Sequence, residues 1–197
     1  MTDPAHTTTS PEDVEFATAY LDDLRRVIEG LDAQSIATAI EWMRQTRDAD
    51  GTIFICGNGG SASIASQMVV DIVKGASLRK AARFRMIGLT DSIATITAYA
   101  NDEGYETVFE EPLKNFARAG DLVIGISGSG NSENVLRAIR LAGERDCRSI
   151  GLTTGEGGEL KDLVDLALAV PSSHMGRLED CFFIMTHVLC YAFMESD

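Results

Sequence analysis

No apolar run in the 197 residues approaches the roughly 20 that a membrane-crossing helix needs, so a helical span is excluded. The opening stretch MTDPAHTTTSPE lacks both a basic start and an apolar segment. It reads as a disordered tail over residues 1–11 rather than a signal peptide, and a cytoplasmic protein is expected. Cysteine is sparse and unpaired in pattern: Cys56, Cys147, Cys181 and Cys190 form no CxxC motif, and they read as buried free thiols in a reducing compartment. Basic charge is short as well. With 17 Lys and Arg against 30 Asp and Glu, the net charge of −13 repels nucleic-acid phosphates and anionic lipid, so neither nucleic acid nor a membrane is expected as a partner. The chain has no internal repeat and no low-complexity linker, and one domain over residues 12–197 is expected.

What is present suits a folded domain: 45% hydrophobic and 24% charged residues can build a core without disulfides or a structural metal. From Pro11 to about Asp48, two sets of apolar residues recur at helical spacing and predict two amphipathic helices. The first set runs Val14, Phe16, Ala17, Tyr20, Leu21, Leu24, Val27, Ile28 and Leu31, the second Ile36, Ala39, Ile40 and Met43. Beyond them, short β-rich runs alternate with helical stretches: TIFIC (52–56), FRMIGL (84–89), DLVIGIS (121–127), SIGLT (149–153) and LALAV (166–170). Such alternation predicts an α/β fold around a parallel sheet, and the lack of polar alternation within the runs agrees with strands buried on both faces.

Ligands of such sheets lie beyond the carboxyl ends of the strands, where loops lead into helix N-termini. Three glycine-rich loops fall on that edge: GNGGSAS (57–63), SGSGNS (127–132) and TTGEGGE (153–159). The second combines small residues, free backbone N–H groups and the hydroxyls of Ser127, Ser129 and Ser132 just before a helix. A phosphate can be wrapped there without a lysine, because the helix N-terminus carries partial positive charge and unpaired donors. Ser132 as a simple N-cap is the plainer reading, but a cap needs one hydroxyl rather than three. Neither GxxxxGK[ST] nor GxGxxG occurs in these loops, which disfavours a nucleotide. In the first loop, the glycines around Asn58 allow close backbone approach, though a tight strand-to-helix turn explains them equally.

Taken in order, GNGGSAS, TDSIATITAYANDEGYETVF (90–109), GDLVIGISGSGNSENVLRAI (120–139) and GLTTGEGGEL closely resemble the phosphoheptose isomerase branch of the SIS (sugar isomerase) family. The resemblance runs from about residue 12 to the C-terminus. It implies a three-layer SIS fold: a five-stranded parallel sheet flanked by helices, with an N-terminal helical pair used in assembly. It also implies a homotetramer with active sites at subunit interfaces and a phosphorylated sugar as substrate, most simply sedoheptulose 7-phosphate. On that resemblance the serine loop binds phosphate through Ser127, Ser129 and Ser132, the glycine loop contributes Asn58 and Ser61, and Asp91 and Asp102 approach the sugar. A turn or helix cap is the competing reading of Asn101 and Asp102.

The family's four catalytic positions fall on Gln67, Asp71, Glu179 and His187. Residues 67 and 71 share a helix face, and 179 and 187 are roughly 80° apart around theirs, so both pairs are expected to converge on one pocket. Aldose–ketose isomerisation needs a base to move a proton between C1 and C2 and an acid to serve the neighbouring oxygens. Asp71 is the expected base and His187 the expected acid, with Glu179 on the substrate. The same four side chains form the candidate set for a divalent metal, Zn²⁺, although here a neutral Gln67 stands where the family has histidine and Asp71 where it has glutamate. Two other readings remain open: an isomerase of another phosphosugar, and a non-catalytic adaptor like the replication-initiator-associating member of the family.

Overall fold

The computed structural model describes residues 9–195. Most of the expected tail, residues 1–8, lies outside the described residues, and Pro11 already opens the first helix. Helices α1 (Pro11–Glu29) and α2 (Ala33–Asp48) form the expected N-terminal pair. Strands β1 (Thr52–Gly57), β2 (Arg85–Gly88), β3 (Leu122–Ile126), β4 (Arg148–Thr154) and β5 (Leu166–Val170) follow, each within a residue of its apolar run at either end. They pair in parallel in the order β2-β1-β3-β4-β5. The order reverses at β1 and β3, so the loops leaving these two strands flank a crevice at the carboxyl edge of the sheet.

Period-two geometry splits the core between the two faces of the sheet. Ile53, Ile55, Leu122, Ile124, Ile150 and Leu152 pack with α2, with α3 (Gly60–Val70) and with α8 (Met175–Met194). Phe54, Cys56 and Val123 face the other way, against α5 (Glu110–Phe116), α6 (Glu133–Glu144) and α7 (Gly158–Leu163). With α4 (Ile93–Asp102), these make eight α-helices among the described residues. Burial on both faces holds for β1 and β3 but not for β2, whose Arg85 and Ile87 are exposed because it is an edge strand. At the amino edge, the buried Asp121 carboxylate accepts the backbone N–H groups of Thr52 (2.7 Å) and Arg118 (2.8 Å), pinning the starts of β1 and β3 together.

Helix α1 buries none of its residues. It is held to the start of α8 by polar contacts: the Tyr20 hydroxyl donates to Asp180 at 2.6 Å, and Arg177 pairs with Asp23 at 2.6 Å while stacking on the Tyr20 ring. Its apolar positions Val14, Phe16 and Leu21 remain more than half exposed.

The four cysteines are free and buried, as their spacing leads one to expect. Burial pushes the thiols of Cys56 and Cys190 up to about 12 and that of Cys147 up to about 11, and raises Cys181 as well. A thiol titrating near 12 is ionised to about one part in ten thousand at pH 8, and the thiolate is the reactive form. Native protein treated with iodoacetamide at pH 8 should therefore stay unmodified while urea-unfolded protein takes up label at all four cysteines; rapid labelling of the native chain, read by intact mass, would contradict this packing.

Candidate active site

Helices α3 and α8 run side by side in the same direction across one face of the sheet, and two glycines leave room between them for side chains of α8. A Cβ built on Gly60, in the first turn of α3, would collide with the Glu179 carboxylate, and one built on Gly75 would collide with the terminal methyl of Met194. Glu179 thus lies over the α3 N-terminus, where helix partial charge favours a carboxylate. Between these two contacts the helices bring Asp71 and His187 together, with Nε2 of His187 3.7 Å from Oδ2 of Asp71. Gln67, one turn earlier, donates its amide N–H to the other Asp71 oxygen at 3.1 Å. At Asp71 the α-helix gives way to a π-turn over Asp71–Gly75, closed by the Ala76 N–H donating to the Asp71 carbonyl. A five-residue hydrogen-bond step of this kind leaves no mark in an apolar pattern read at 3.6 residues per turn.

Convergence of all four positions on one pocket is not what a single chain achieves. Eight residues of α8 rise about 12 Å, so Glu179 and His187 sit at opposite ends of the α3 contact even though their angular positions are close. Gln67, Asp71 and His187 form one group, and Glu179 belongs with the α3 N-terminus. Among the described residues, no group of three or more His, Cys, Asp and Glu side chains is arranged to hold a metal ion. A zinc site closed by four ligands does not fit one chain's donors here, and no chemical step below runs through a metal.

The loops at the carboxyl edge close on one another. Ser127, 3% exposed, donates its hydroxyl to Ser132 Oγ at 3.0 Å. Ser132 occupies the N-cap position of α6 without a side-chain capping bond, so its hydroxyl is not committed to the helix. Ser129 Oγ accepts the Asn131 N–H at 3.2 Å, and the Asn131 amide bridges to the third loop by accepting the Glu159 N–H at 3.0 Å. Ser61 is buried in the first turn of α3, beside the close approach of Gly57. Asn58 pairs with Asn134 through two 2.9 Å hydrogen bonds and accepts a third, also 2.9 Å, from the Tyr105 hydroxyl. Reading the sequence missed Asn134 and Tyr105, although both lie within the quoted motif segments. Asp91 is exposed and takes the hydroxyls of Ser66 and Thr90, fastening the end of β2 to α3. Asp102 is the last residue of α4, exposed, at the turn into Glu103, and accepts the Asn101 amide at 2.7 Å.

Comparison with known proteins points in one direction. The sequence profile of the SIS domain family matches residues 16–154. A phosphoheptose isomerase of a Nitratiruptor species is 42% identical over 144 residues, 73% of this chain and 76% of that relative. That of Geobacter sulfurreducens is 36% identical over 180 residues, 90% of this chain and 95% of the relative. Among solved structures, a phosphoheptose isomerase from Neisseria gonorrhoeae superposes with a TM-score of 0.86 at 31% identity, covering 95% of this chain and 100% of the other. One from Francisella tularensis gives 0.88 at 26% identity, covering 96% of this chain and 100% of that one.

The joint between the second and third loops depends on Gly130. Its φ of +69° favours glycine, and an added Cβ would fall on the Gly157 carbonyl oxygen, a backbone atom that cannot swing away. Gly130→Ala should lower stability by about 2 kcal/mol or more. An unchanged urea midpoint would show that the two loops are not joined in this way.

Proposed function

The chain belongs to the SIS domain family, and on that premise we propose that it is a phosphoheptose isomerase, interconverting sedoheptulose 7-phosphate and the corresponding aldose phosphate through an enediol. The observation that carries the reading is the carboxylate–imidazole pair: Asp71 and His187 come from two helices and meet at 3.7 Å. In the ketose, Asp71 takes the C1 proton while an imidazole N–H of His187 is given to the C2 carbonyl oxygen, forming the enediol. Return of the O1 proton to His187 and delivery of a proton to C2 then complete the aldose. Gln67 orients the Asp71 carboxylate through Oδ1, leaving Oδ2 toward the imidazole. The phosphate is received at the N-terminus of α6, where Ser127, Ser129 and Ser132 supply hydroxyls and the partial positive charge of the helix start favours an anion. Asn58, Ser61 and Glu179 line the sugar side of the same edge, with Asp91 and Asp102 at its margin.

Two features support a homo-oligomer, and the tetramer implied by the resemblance, in which active sites form at subunit interfaces. Around the acid–base pair, Val70, Val73, Leu78, Val188 and Tyr191 are all at least 40% exposed, an apolar rim out of keeping with an isolated surface. Helix α1 adds Phe16 and Leu21 on its outer side, 72% and 64% exposed. A phosphorylated substrate and four unpaired thiols both fit the cytoplasm.

Purified protein given sedoheptulose 7-phosphate should form aldose phosphate. Asp71→Asn and His187→Ala should each lower kcat by about 10²–10⁴-fold, the range of general acid–base groups, with phosphosugar affinity by calorimetry nearly unchanged. Full turnover in Asp71→Asn would reject the mechanism, and a wild-type protein that binds phosphosugars but isomerises none would favour the adaptor reading. Light scattering at micromolar concentration should report a multiple of the 21.2 kDa chain mass, and a monomer would contradict the assembly.

A further inference from the structure

Tyr105 lies in the segment TDSIATITAYANDEGYETVF (90–109) and carries none of the roles assigned above. It opens a 3₁₀ turn, Tyr105–Thr107, that is braced from below: Gly104 has a φ of +102°, and its carbonyl accepts both the Thr107 hydroxyl (2.8 Å) and the Thr107 N–H (3.1 Å). From this turn the phenol hydroxyl reaches Asn58, 47 residues earlier in the chain, at 2.9 Å.

The hydrogen bonds around Asn58 have one consistent direction. Asn134, 3% exposed, is oriented by the Val135 N–H, which donates to Asn134 Oδ1 at 3.0 Å. That oxygen then accepts from Asn58 Nδ2, and Asn134 Nδ2 donates back to Asn58 Oδ1. A reciprocal amide pair alone reads the same with both amides flipped; the Val135 N–H, which can only donate, removes that ambiguity, and the Tyr105 hydroxyl donates in keeping with it. An amide oxygen has two lone pairs, and at Asn58 both are taken, one by Asn134 and one by Tyr105. One N–H of Asn58 is left over. The glycine loop can therefore meet a ligand through this side chain only as a donor, which selects phosphate, carbonyl or hydroxyl oxygens as its counterpart.

We propose that Tyr105 is a positioning residue that acts through Asn58, holding in place the amide whose direction Asn134 sets, so that the loop 57–60 presents an N–H to the substrate. The proposal rests on the isomerase reading for its substrate but not for its geometry. Tyr105→Phe keeps the ring and removes only the hydroxyl, at a side chain that is 53% exposed, so folding is retained. The expected result is a KM for sedoheptulose 7-phosphate raised about three- to tenfold, the size of one neutral hydrogen bond, with kcat within about twofold of wild type and an unchanged Tm. In an Asn58→Ala background the same change should have no further effect on KM, since the group through which Tyr105 acts is gone. Hydrogen–deuterium exchange of the 57–61 backbone in the substrate-free protein should also be faster in Tyr105→Phe. An unchanged KM with unchanged exchange overturns the proposal, as does a Tyr105→Phe effect that persists in full without Asn58, which would mean that the phenol meets substrate itself. If the wild-type protein turns over no ketose phosphate, the isomerase reading fails, and exchange at 57–61 alone decides the positioning role: faster exchange sustains it and unchanged exchange overturns it.

Discussion

The close parallel approach of α3 and α8 is the constraint on which the rest of the site depends. Helices usually pack with axes 8–10 Å apart, the spacing being set by the side chains at the contact. Here Gly60 admits the Glu179 carboxylate at one end, and Gly75 admits Met194 at the other. Between these fixed ends the core residues Ile64, Met68 and Ile72 of α3 and the π-turn, and Cys181, Met185 and Leu189 of α8, fill the space above the sheet. Asp71 and His187 are carried on the outer flank of that seam, and their meeting is a consequence of packing below them rather than of their own attraction. A 3.7 Å contact with the imidazole 47% exposed has little energy with which to impose a geometry.

The π-turn belongs to the same constraint. An extra residue in one turn rotates everything that follows it relative to the preceding helix, and here it begins at Asp71 itself. Ser77 then locks the exit by donating its hydroxyl to the Ile72 carbonyl at 2.8 Å while accepting the Phe84 N–H at 3.1 Å. The carboxylate therefore stands where regular helix ends, held from one side by Gln67 and from the other by a turn that is itself tied down.

Much of this was legible in the sequence, and the misses have physical causes. Runs such as TIFIC and DLVIGIS gave their strands almost to the residue, because a strand buried on both faces must be apolar throughout. FRMIGL has the same composition but lies at the sheet edge, and pairing order is a property of the whole sheet that no local run carries. The spacing of Glu179 and His187 was read by angle around the helix while their rise along it was left out, and the rise separates them. Asn134 and Tyr105 were passed over because each looks ordinary alone: an asparagine in a first helical turn and a tyrosine after a glycine. Their meaning comes from contacts across 76 and 47 residues.

Gln67 and Asp71, two of the departures from the family pattern, are in contact with one another. A shorter carboxylate has less reach and fewer rotamers, and the Gln67 amide steadies it through Oδ1 at 3.1 Å. Being neutral, that amide brings no positive charge to the carboxylate, whereas a cationic neighbour would favour its charged form and weaken it as a proton acceptor. A base that must take a proton from carbon gains from this arrangement: one oxygen is held, the other keeps a lone pair facing the space that His187 borders. The substitution that looks, from the sequence, like the loss of a metal ligand gives Asp71 a neutral hydrogen-bond donor that orients its carboxylate.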